Sequence, residues 1–227
     1  MKSSKHFFYP RSRVLKVREL KRVYRTLLKA QGPQHWWPAE TPFEMMVGAI
    51  LTQNTAWKNV ERAIGNLKKA RKLNPRALLK IGEGKLADLI RPAGYFNIKA
   101  DRLKHFVRFL DEEFEGKPRR MTKKSSSVLR RMLLQVKGIG PETADSILLY
   151  GAGKHRFVID AYTKRVFARH RLHPLDAPYD AWQLIFEANL PRDLALYNDF
   201  HAQIVNLGKN YCRTKPRCES CPLRHYL

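Results

Sequence analysis

The chain has 227 residues, of which 44% are apolar, so it can bury a hydrophobic core and global disorder is not expected. Its 44 Lys and Arg against 20 Asp and Glu give a formal net charge of +24, which indicates a polyanionic partner, with nucleic acid favoured over an anionic membrane surface. No apolar run could span a bilayer, and the basic start MKSSKHFFYPRSR lacks the apolar core of a signal peptide, so we expect a cytoplasmic, nucleoid-associated protein that does not bind membranes.

The first predicted element is a helix over residues 14–30, where apolar residues recur at imperfect helical spacing. Glycine and proline break the pattern over residues 31–41. This loop carries Trp36 and Trp37, followed by Pro38. In a loop both indoles can face one cavity, whereas on a helix they would diverge. The alternative is that they fill the core beneath the loop.

A second helix is predicted over residues 42–53 and ends in the polar segment Thr-Gln-Asn-Thr. Gln53 and Asn54 lie in this turn and are candidates to fill the gap left by an extruded nucleotide, with simple turn formation as an equal alternative. Trp57 starts the next helix, and we expect its side chain to be exposed on the side that the turn faces. Further helices are predicted over residues 57–70, 75–81, 85–90, 98–114 and 126–136, the last with Ser126 as its candidate cap.

The segment LQVKGIGPETADSILLYGAGKHRFVID, residues 134–160, predicts a helix, a hairpin and a second helix. Gly138 and Gly140 allow positive φ and leave backbone N–H groups uncovered, so a phosphate can bind there without any base being recognised. Pro141 suits the first turn of the second helix because it lacks an N–H that would go unpaired there. Asp160 lies one short loop after that helix.

Helices over residues 161–170, 179–189 and 194–210 complete an almost all-α prediction, since no strand-like alternation competes anywhere. The three cysteines, Cys212, Cys218 and Cys221, are bunched near the end of the chain. A disulfide framework would be scattered and usually even in number, so the bunching indicates a metal site.

V-x-G-I-G-x-x-T-A, followed by V-I-D ending at Asp160, resembles the helix-hairpin-helix DNA glycosylase superfamily, the group that includes endonuclease III. F-E-x-M-V-G-A-I-L-T-Q-N-T and I-R-P-A-G-Y-F-N-I-K-A are similar to the first barrel helix and the mid-domain turn of these enzymes, so the resemblance covers residues 38–221. Within the superfamily, the Trp-Trp-Pro segment and the Leu-Thr-Gln-Asn-Thr loop look most like the 3-methyladenine DNA glycosylase III family.

The resemblance implies an all-α, two-lobed fold. One lobe would be a six-helix bundle over residues 43–154 that carries the hairpin, and the other would combine residues 1–42 and 155–227. A cleft bordered by the hairpin and Asp160 would receive double-stranded DNA containing a damaged base, and we expect a monomer.

Such an enzyme extrudes the base into a pocket, and positive charge then builds on the sugar as the glycosidic bond breaks. We expect the Asp160 carboxylate to stabilise this charge and to orient or deprotonate the attacking water. The alternative, that Asp160 caps the following helix, is compatible with catalysis because a capping carboxylate keeps one oxygen free. Lys137 and Thr143 are the expected phosphate contacts beside the hairpin glycines, with a solvated surface charge and a helix-face residue as their respective alternatives.

The bifunctional endonuclease III pattern has a lysine two residues after the second hairpin glycine, and this chain has Glu142 there. Glutamate cannot form a Schiff base, so the departure predicts a monofunctional glycosylase without lyase activity.

The substrate expectation follows from the tryptophans. The resemblance implies that Trp36, Trp37, Pro38 and Trp57 line the base pocket, and electron-rich rings attract a cationic purine such as 3-methyladenine. The alternatives are an endonuclease III-like glycosylase for oxidised pyrimidines or mismatched thymine, and a non-catalytic DNA-binding relative.

The C-x5-C-x2-C-P pattern resembles the loop in which four cysteines bind a [4Fe–4S] cluster in endonuclease III-like enzymes. The fourth cysteine is absent, because the chain has Leu227 near that point. His225 is a candidate substitute, and three cysteines alone could hold a cluster with an open or externally ligated iron. A zinc ion held by three cysteines and a histidine, or a loop without metal, are the other interpretations.

Overall fold

The computed structural model describes residues 15–36 and 39–226. Helices fill most of these ranges and no β-strand occurs within them, which confirms the predicted all-α class. No helix in the same ranges is long and apolar enough to cross a membrane. The chain divides into two compact units, one of residues 1–36 and 157–227 and one of residues 37–156.

The helices lie close to the predicted positions. In chain order they are α1 (Leu20–Gln31), α2 (Pro42–Leu51), α3 (Trp57–Lys69), α4 (Pro75–Lys80), α5 (Glu83–Leu89), α6 (Phe96–Phe114), α7 (Ser126–Gln135), α8 (Pro141–Ser146), α9 (Ala161–Arg169), α10 (Tyr179–Asn189) and α11 (Leu194–Asn210). A π-helical turn, Ile147–Gly151, continues α8. The cap predicted at Ser126 is wrong by one residue, because the hydroxyl of Ser125 accepts the Val128 N–H at 3.4 Å.

Helix α2 is the centre of the unit of residues 37–156. Every residue of α2 after its first is buried, and the helix contacts α3, α6 and α8. Helix α6 packs in turn against α4 and α5. Since each fully buried large apolar side chain contributes about 1.5–3 kcal/mol, this packing fixes the carboxyl end of α2, where the polar turn begins.

A buried lysine also holds that end of α2. Lys99 is 1% exposed, and its Nζ donates to the carbonyl oxygens of Leu51 and Ala93, each at 2.8 Å. Burial and, secondarily, the charge of Arg102 lower the pKa of Lys99 to about 8. The lysine therefore joins the end of α2 to the mid-domain turn, and even its neutral amine has enough N–H groups for both carbonyls.

The unit of residues 1–36 and 157–227 is built around α9 and α11, which pack against each other, while α1 packs on α11. Its core is aromatic. Phe157 stacks on Phe186 with ring centroids 4.4 Å apart, and Phe167 meets Phe186 edge-on at 5.1 Å. Phe157 lies three residues before Asp160, the N-cap of α9, so this core positions the start of that helix.

Candidate functional site

The predicted hairpin is present between α7 and α8. Gly138 has φ +86°, and a Cβ at this position would lie within 3.0 Å of the Arg102 side chain. Gly140 has an extended backbone and open space where a Cβ would be. The turn therefore requires glycine at Gly138 for conformation and close packing, whereas Gly140 leaves its backbone accessible to a phosphate.

Gln53 is bound to this hairpin. Its Nε2 donates to the Gly138 carbonyl at 3.1 Å and to Thr143 Oγ1 at 2.8 Å, and its Oε1 accepts from Arg102. Both ends of the amide are thus engaged, and Thr143 is buried. Asn54 is exposed and adopts φ +53°. Of the two candidates for filling a gap in the duplex, Asn54 presents the accessible side chain, while Gln53 and Thr143 brace the hairpin.

Lys137 precedes the first hairpin glycine. Its side chain is 70% exposed, and its Nζ lies 3.3 Å from Asp101 Oδ2. An exposed ion pair of this kind contributes only about 0–1 kcal/mol, so the ammonium can exchange Asp101 for a phosphate at little cost.

Asp160 forms the N-cap of α9. Its Oδ1 accepts the Thr163 N–H at 2.7 Å and the Thr163 hydroxyl at 2.8 Å, while Oδ2 lies 3.6 Å from His201 Nε2. Burial alone would raise the pKa of this carboxyl, but the hydrogen bond and charge of His201 and the two donors of Thr163 outweigh it and lower the pKa. Asp160 is therefore ionised at neutral pH, and only Oδ1 is used in capping.

The tryptophan loop is fastened to α11 by amide side chains. Asn206 Nδ2 donates to Gln34 Oε1 at 2.8 Å, and Gln203 Nε2 donates to the Gly32 carbonyl at 2.7 Å. These bonds hold the loop up to Trp36, which is half-buried, with Lys209 Nζ 5.3 Å from the centre of its ring. An ammonium at this distance from an indole makes a cation–π contact.

The remaining predicted aromatic residue, Trp57, belongs to the other unit. Its Nε1 donates to Glu61 Oε1 at 2.9 Å, and it lines a cavity with Ala39, Glu44 and other residues of α3. Trp37 and Pro38 lie outside the described residues. Of the three tryptophans predicted to line one pocket, Trp36 and Trp57 thus belong to different units of the chain.

The three cysteines line one cavity. Cys212 and Cys221 are buried, Cys218 is half-buried, and Arg169 Nη1 donates to Cys212 Sγ at 3.2 Å. Burial and the neighbouring sulfurs raise the pKa of Cys221 to about 11. Between Leu15 and Tyr226, apart from residues 37 and 38, no group of three or more His, Cys, Asp or Glu is arranged to hold a metal ion.

The histidine that shares this cavity is not the predicted one. His225 is exposed and accepts from Arg224 Nε at 3.4 Å, whereas His170, at the end of α9, is buried and lines the cavity with the cysteines. Nothing in the sequence marks His170, because it is remote in the chain from Cys212. The packing of α9 against α11 brings the two together.

Comparisons with known proteins identify the family of the chain. Residues 47–192 match the family model described as HhH-GPD superfamily base excision DNA repair protein. The chain is 50% identical over 207 residues to the "Putative DNA repair glycosylase MJ1434" of Methanocaldococcus jannaschii, covering 90% of this chain and 94% of that protein. Among solved structures, Helicobacter pylori 3-methyladenine DNA glycosylase (MagIII) bound to 1,N6-ethenoadenine has a TM-score of 0.73 and 32% identity, covering 86% of this chain and 98% of that one.

A non-covalent endonuclease III–DNA complex shares the fold, with a TM-score of 0.79 and 19% identity, over 93% of this chain and 95% of that one.

Proposed function

Because the chain belongs to the HhH-GPD superfamily of base excision DNA repair proteins, we propose that it is a DNA glycosylase that releases alkylated purines such as 3-methyladenine from duplex DNA. The carboxylate of Asp160, held by Thr163 at Oδ1 and lying beside His201 at Oδ2, is the observation that carries the proposal. The H. pylori structure, a 3-methyladenine glycosylase at 32% identity, supports the substrate class.

Asp160 would act on the sugar. As the bond to the base breaks, the deoxyribose gains positive charge, and a fixed carboxylate stabilises it without reorganising at the moment of reaction. Oδ1 is held by Thr163, so the orientation of the carboxylate is set before DNA binds. His201 lies beside Oδ2 and keeps the carboxylate ionised in its buried setting. Oδ2 is the oxygen that would face the sugar or the attacking water.

Backbone contacts would come from the hairpin. The accessible backbone at Gly140 and the exposed ammonium of Lys137 suit phosphate oxygens, and neither group distinguishes one base from another. Gln53 keeps the hairpin in place, and Asn54 would enter the gap left by the extruded nucleotide. We assign these roles because the side-chain amide of Gln53 already binds the hairpin, whereas Asn54 is exposed.

The choice of a cationic purine rests on the aromatic residues. A methylated purine with a positive ring leaves without much protonation, so the pocket mainly has to recognise charge. The Trp36 ring already has an ammonium near its face, so this surface suits a cation. A methylated base would replace the Lys209 ammonium at that face.

We propose that the enzyme has no lyase activity. Glu142 stands on the exposed first turn of α8, at the position where the bifunctional pattern has a lysine, and a carboxylate cannot form the Schiff base that strand cleavage requires. Borohydride reduction should therefore trap no covalent complex with abasic DNA, whereas a trapped complex would indicate an endonuclease III-like reaction.

We also propose that Cys212, Cys218 and Cys221 hold an iron–sulfur cluster. The donor chemistry fits, because three cysteine sulfurs, the usual protein ligands of such clusters, line one cavity and the Arg169 guanidinium lies beside one of them. When bound, the cluster would cross-link the terminal loop and add a redox-active centre. Iron and sulfide content after anaerobic purification measures it directly.

The deciding experiment is release of free bases from methylated duplex DNA, resolved by chromatography. Release of 3-methyladenine at a rate well above the spontaneous rate is expected. Parallel duplexes with an oxidised pyrimidine or a T·G mismatch test the alternative specificities. If the chain binds all of these duplexes and releases no base from any, it is a non-catalytic DNA-binding relative. We propose that the enzyme works as a monomer on cytoplasmic, nucleoid DNA.

A further inference from the structure

The cavity at the terminal loop has a nitrogen donor as well as its three sulfurs. His170 lines it together with Cys212, Cys218 and Cys221. The His170 imidazole is 5% exposed, and its Nδ1 is hydrogen-bonded to the carbonyl oxygen of Tyr226. Thiolate and imidazole are both known ligands of iron in clusters, so the cavity wall contains four donors of suitable type.

The hydrogen bond of His170 determines which ring nitrogen is available. Nδ1 lies 3.3 Å from the carbonyl oxygen of Tyr226, and a carbonyl can only accept, so Nδ1 carries the proton. The lone pair is then on Nε2. A ligating histidine usually shows this arrangement, in which the second nitrogen donates to a backbone carbonyl and fixes both tautomer and ring orientation.

A ligand from outside the cysteine loop is needed because the fourth thiol of the pattern is missing. The residue after Tyr226 is Leu227, whose side chain has no donor atom. His170 is thus bonded to the carbonyl group that leads into the position lacking a cysteine. His225 is in the same segment but is exposed and is paired with Arg224.

We propose that His170, through Nε2, is the fourth protein ligand of an iron–sulfur cluster held by Cys212, Cys218 and Cys221. The inference rests on the cofactor part of the proposed function and is independent of the damaged base. Three cysteine sulfurs and one imidazole that line the same cavity are the donor types that such a cluster takes from a protein.

A neutral imidazole in place of a thiolate removes one negative charge from the cluster environment, and Arg169 adds a positive charge beside Cys212. Both effects favour the reduced, more negative cluster. The reduction potential should therefore lie above that of a variant with four thiolates, as it does where histidine replaces cysteine in other clusters.

The test compares His170→Ala, His170→Cys and the matched control His225→Ala, each purified anaerobically and reconstituted with iron and sulfide. Iron and sulfide per chain and visible absorbance are measured after desalting. Pulsed electron paramagnetic resonance on protein labelled with ¹⁵N-histidine then detects a directly bound imidazole. Circular dichroism checks that each variant folds.

The wild type and His225→Ala should hold equal iron and show the same histidine nitrogen coupling. Because loss of even an outer partner of a ligand costs roughly 10–100-fold in metal affinity, loss of a direct ligand should lower the iron affinity of His170→Ala at least about tenfold, and less iron should remain after desalting. His170→Cys should regain the iron, lose the nitrogen coupling and have a lower reduction potential. This rescue separates loss of a ligand from loss of folding.

Three results would overturn the proposal: full iron in His170→Ala, a histidine coupling that persists in His170→Cys, or a wild type that binds no iron after reconstitution. Base release from methylated DNA is assayed on the same preparations. An active glycosylase with any of these results rejects the ligand assignment alone, whereas an inactive protein with a nitrogen-ligated cluster rejects the proposed activity alone.

Discussion

Replacing Asp160 with asparagine separates the two roles assigned to this residue. Asparagine is as good an N-cap as aspartate, and its Oδ1 can still accept from the Thr163 N–H and hydroxyl. The new Nδ2 would take the place of Oδ2 beside His201 Nε2. The substitution therefore removes the negative charge and leaves the helix start in place.

Asp160→Asn is expected to have a large effect on base release and a small effect on stability. Removing one preorganised electrostatic partner of a transition state costs about 10²–10³ in rate, which is about 2.7–4 kcal/mol. Asp160→Asn should lose that much base release while its free energy of unfolding changes by less than about 1 kcal/mol. Asp160→Ala should lose the activity and also the cap, which adds about 0.5–2 kcal/mol of destabilisation. For a chain of this size, each kcal/mol lowers the Tm by about 2–4 °C.

The assay is single-turnover release of 3-methyladenine, with thermal unfolding of the same samples. Thr163→Val is the matched control, because it loses one hydrogen bond to Oδ1, worth about 1 kcal/mol, and keeps the carboxylate. Thr163→Val should lose about as much stability as Asp160→Asn and should still release base at most of the wild-type rate. If Asp160→Asn releases base within about threefold of the wild type, or if Thr163→Val is equally inactive, the carboxylate is a cap and the catalytic assignment is wrong.

Three further predictions test other parts of the molecule. Gly138→Ala should destabilise the fold by about 1–3 kcal/mol in urea titrations because of its positive φ, whereas Gly140→Ala should fold normally and bind duplex DNA more weakly in anisotropy titrations. Lys99 has its pKa lowered to about 8 from 10.5, so the unfolded chain binds more protons between these values and the stability of the wild type should rise with pH there, relative to Lys99→Met. Lys209→Met should increase the release of cationic purines from methylated DNA about two- to fivefold relative to a neutral lesion, because its ammonium competes for the face of Trp36. The argument on the hairpin fails if Gly138→Ala is as stable as the wild type. The argument on Lys99 fails if the wild type and Lys99→Met show the same dependence of stability on pH. The argument on Trp36 fails if Lys209→Met changes the release of the cationic and the neutral lesion equally.

Local sequence patterns predicted the helices well, and long-range contacts account for what they missed. The limits of α10 and α11 coincide with those predicted, because each begins and ends at clear polar or proline signals. The binding of Gln53 to the hairpin joins residues far apart in the chain and could not be deduced from either segment. The same holds for His170, which no spacing pattern connects with the cysteines.

Asp160 shows why the sequence left two interpretations open and why the structure does not force a choice between them. A carboxylate has two oxygens, and the cap uses only Oδ1, with both donors coming from Thr163. The cap thus fixes the side-chain rotamer that points Oδ2 toward His201. A catalytic carboxylate needs this kind of fixed orientation, because stabilisation of a transition-state charge depends on groups that are already in place. Under the proposed function, capping would position Oδ2 for the reaction, and a variant that keeps the cap but loses the charge is the one that tests this role.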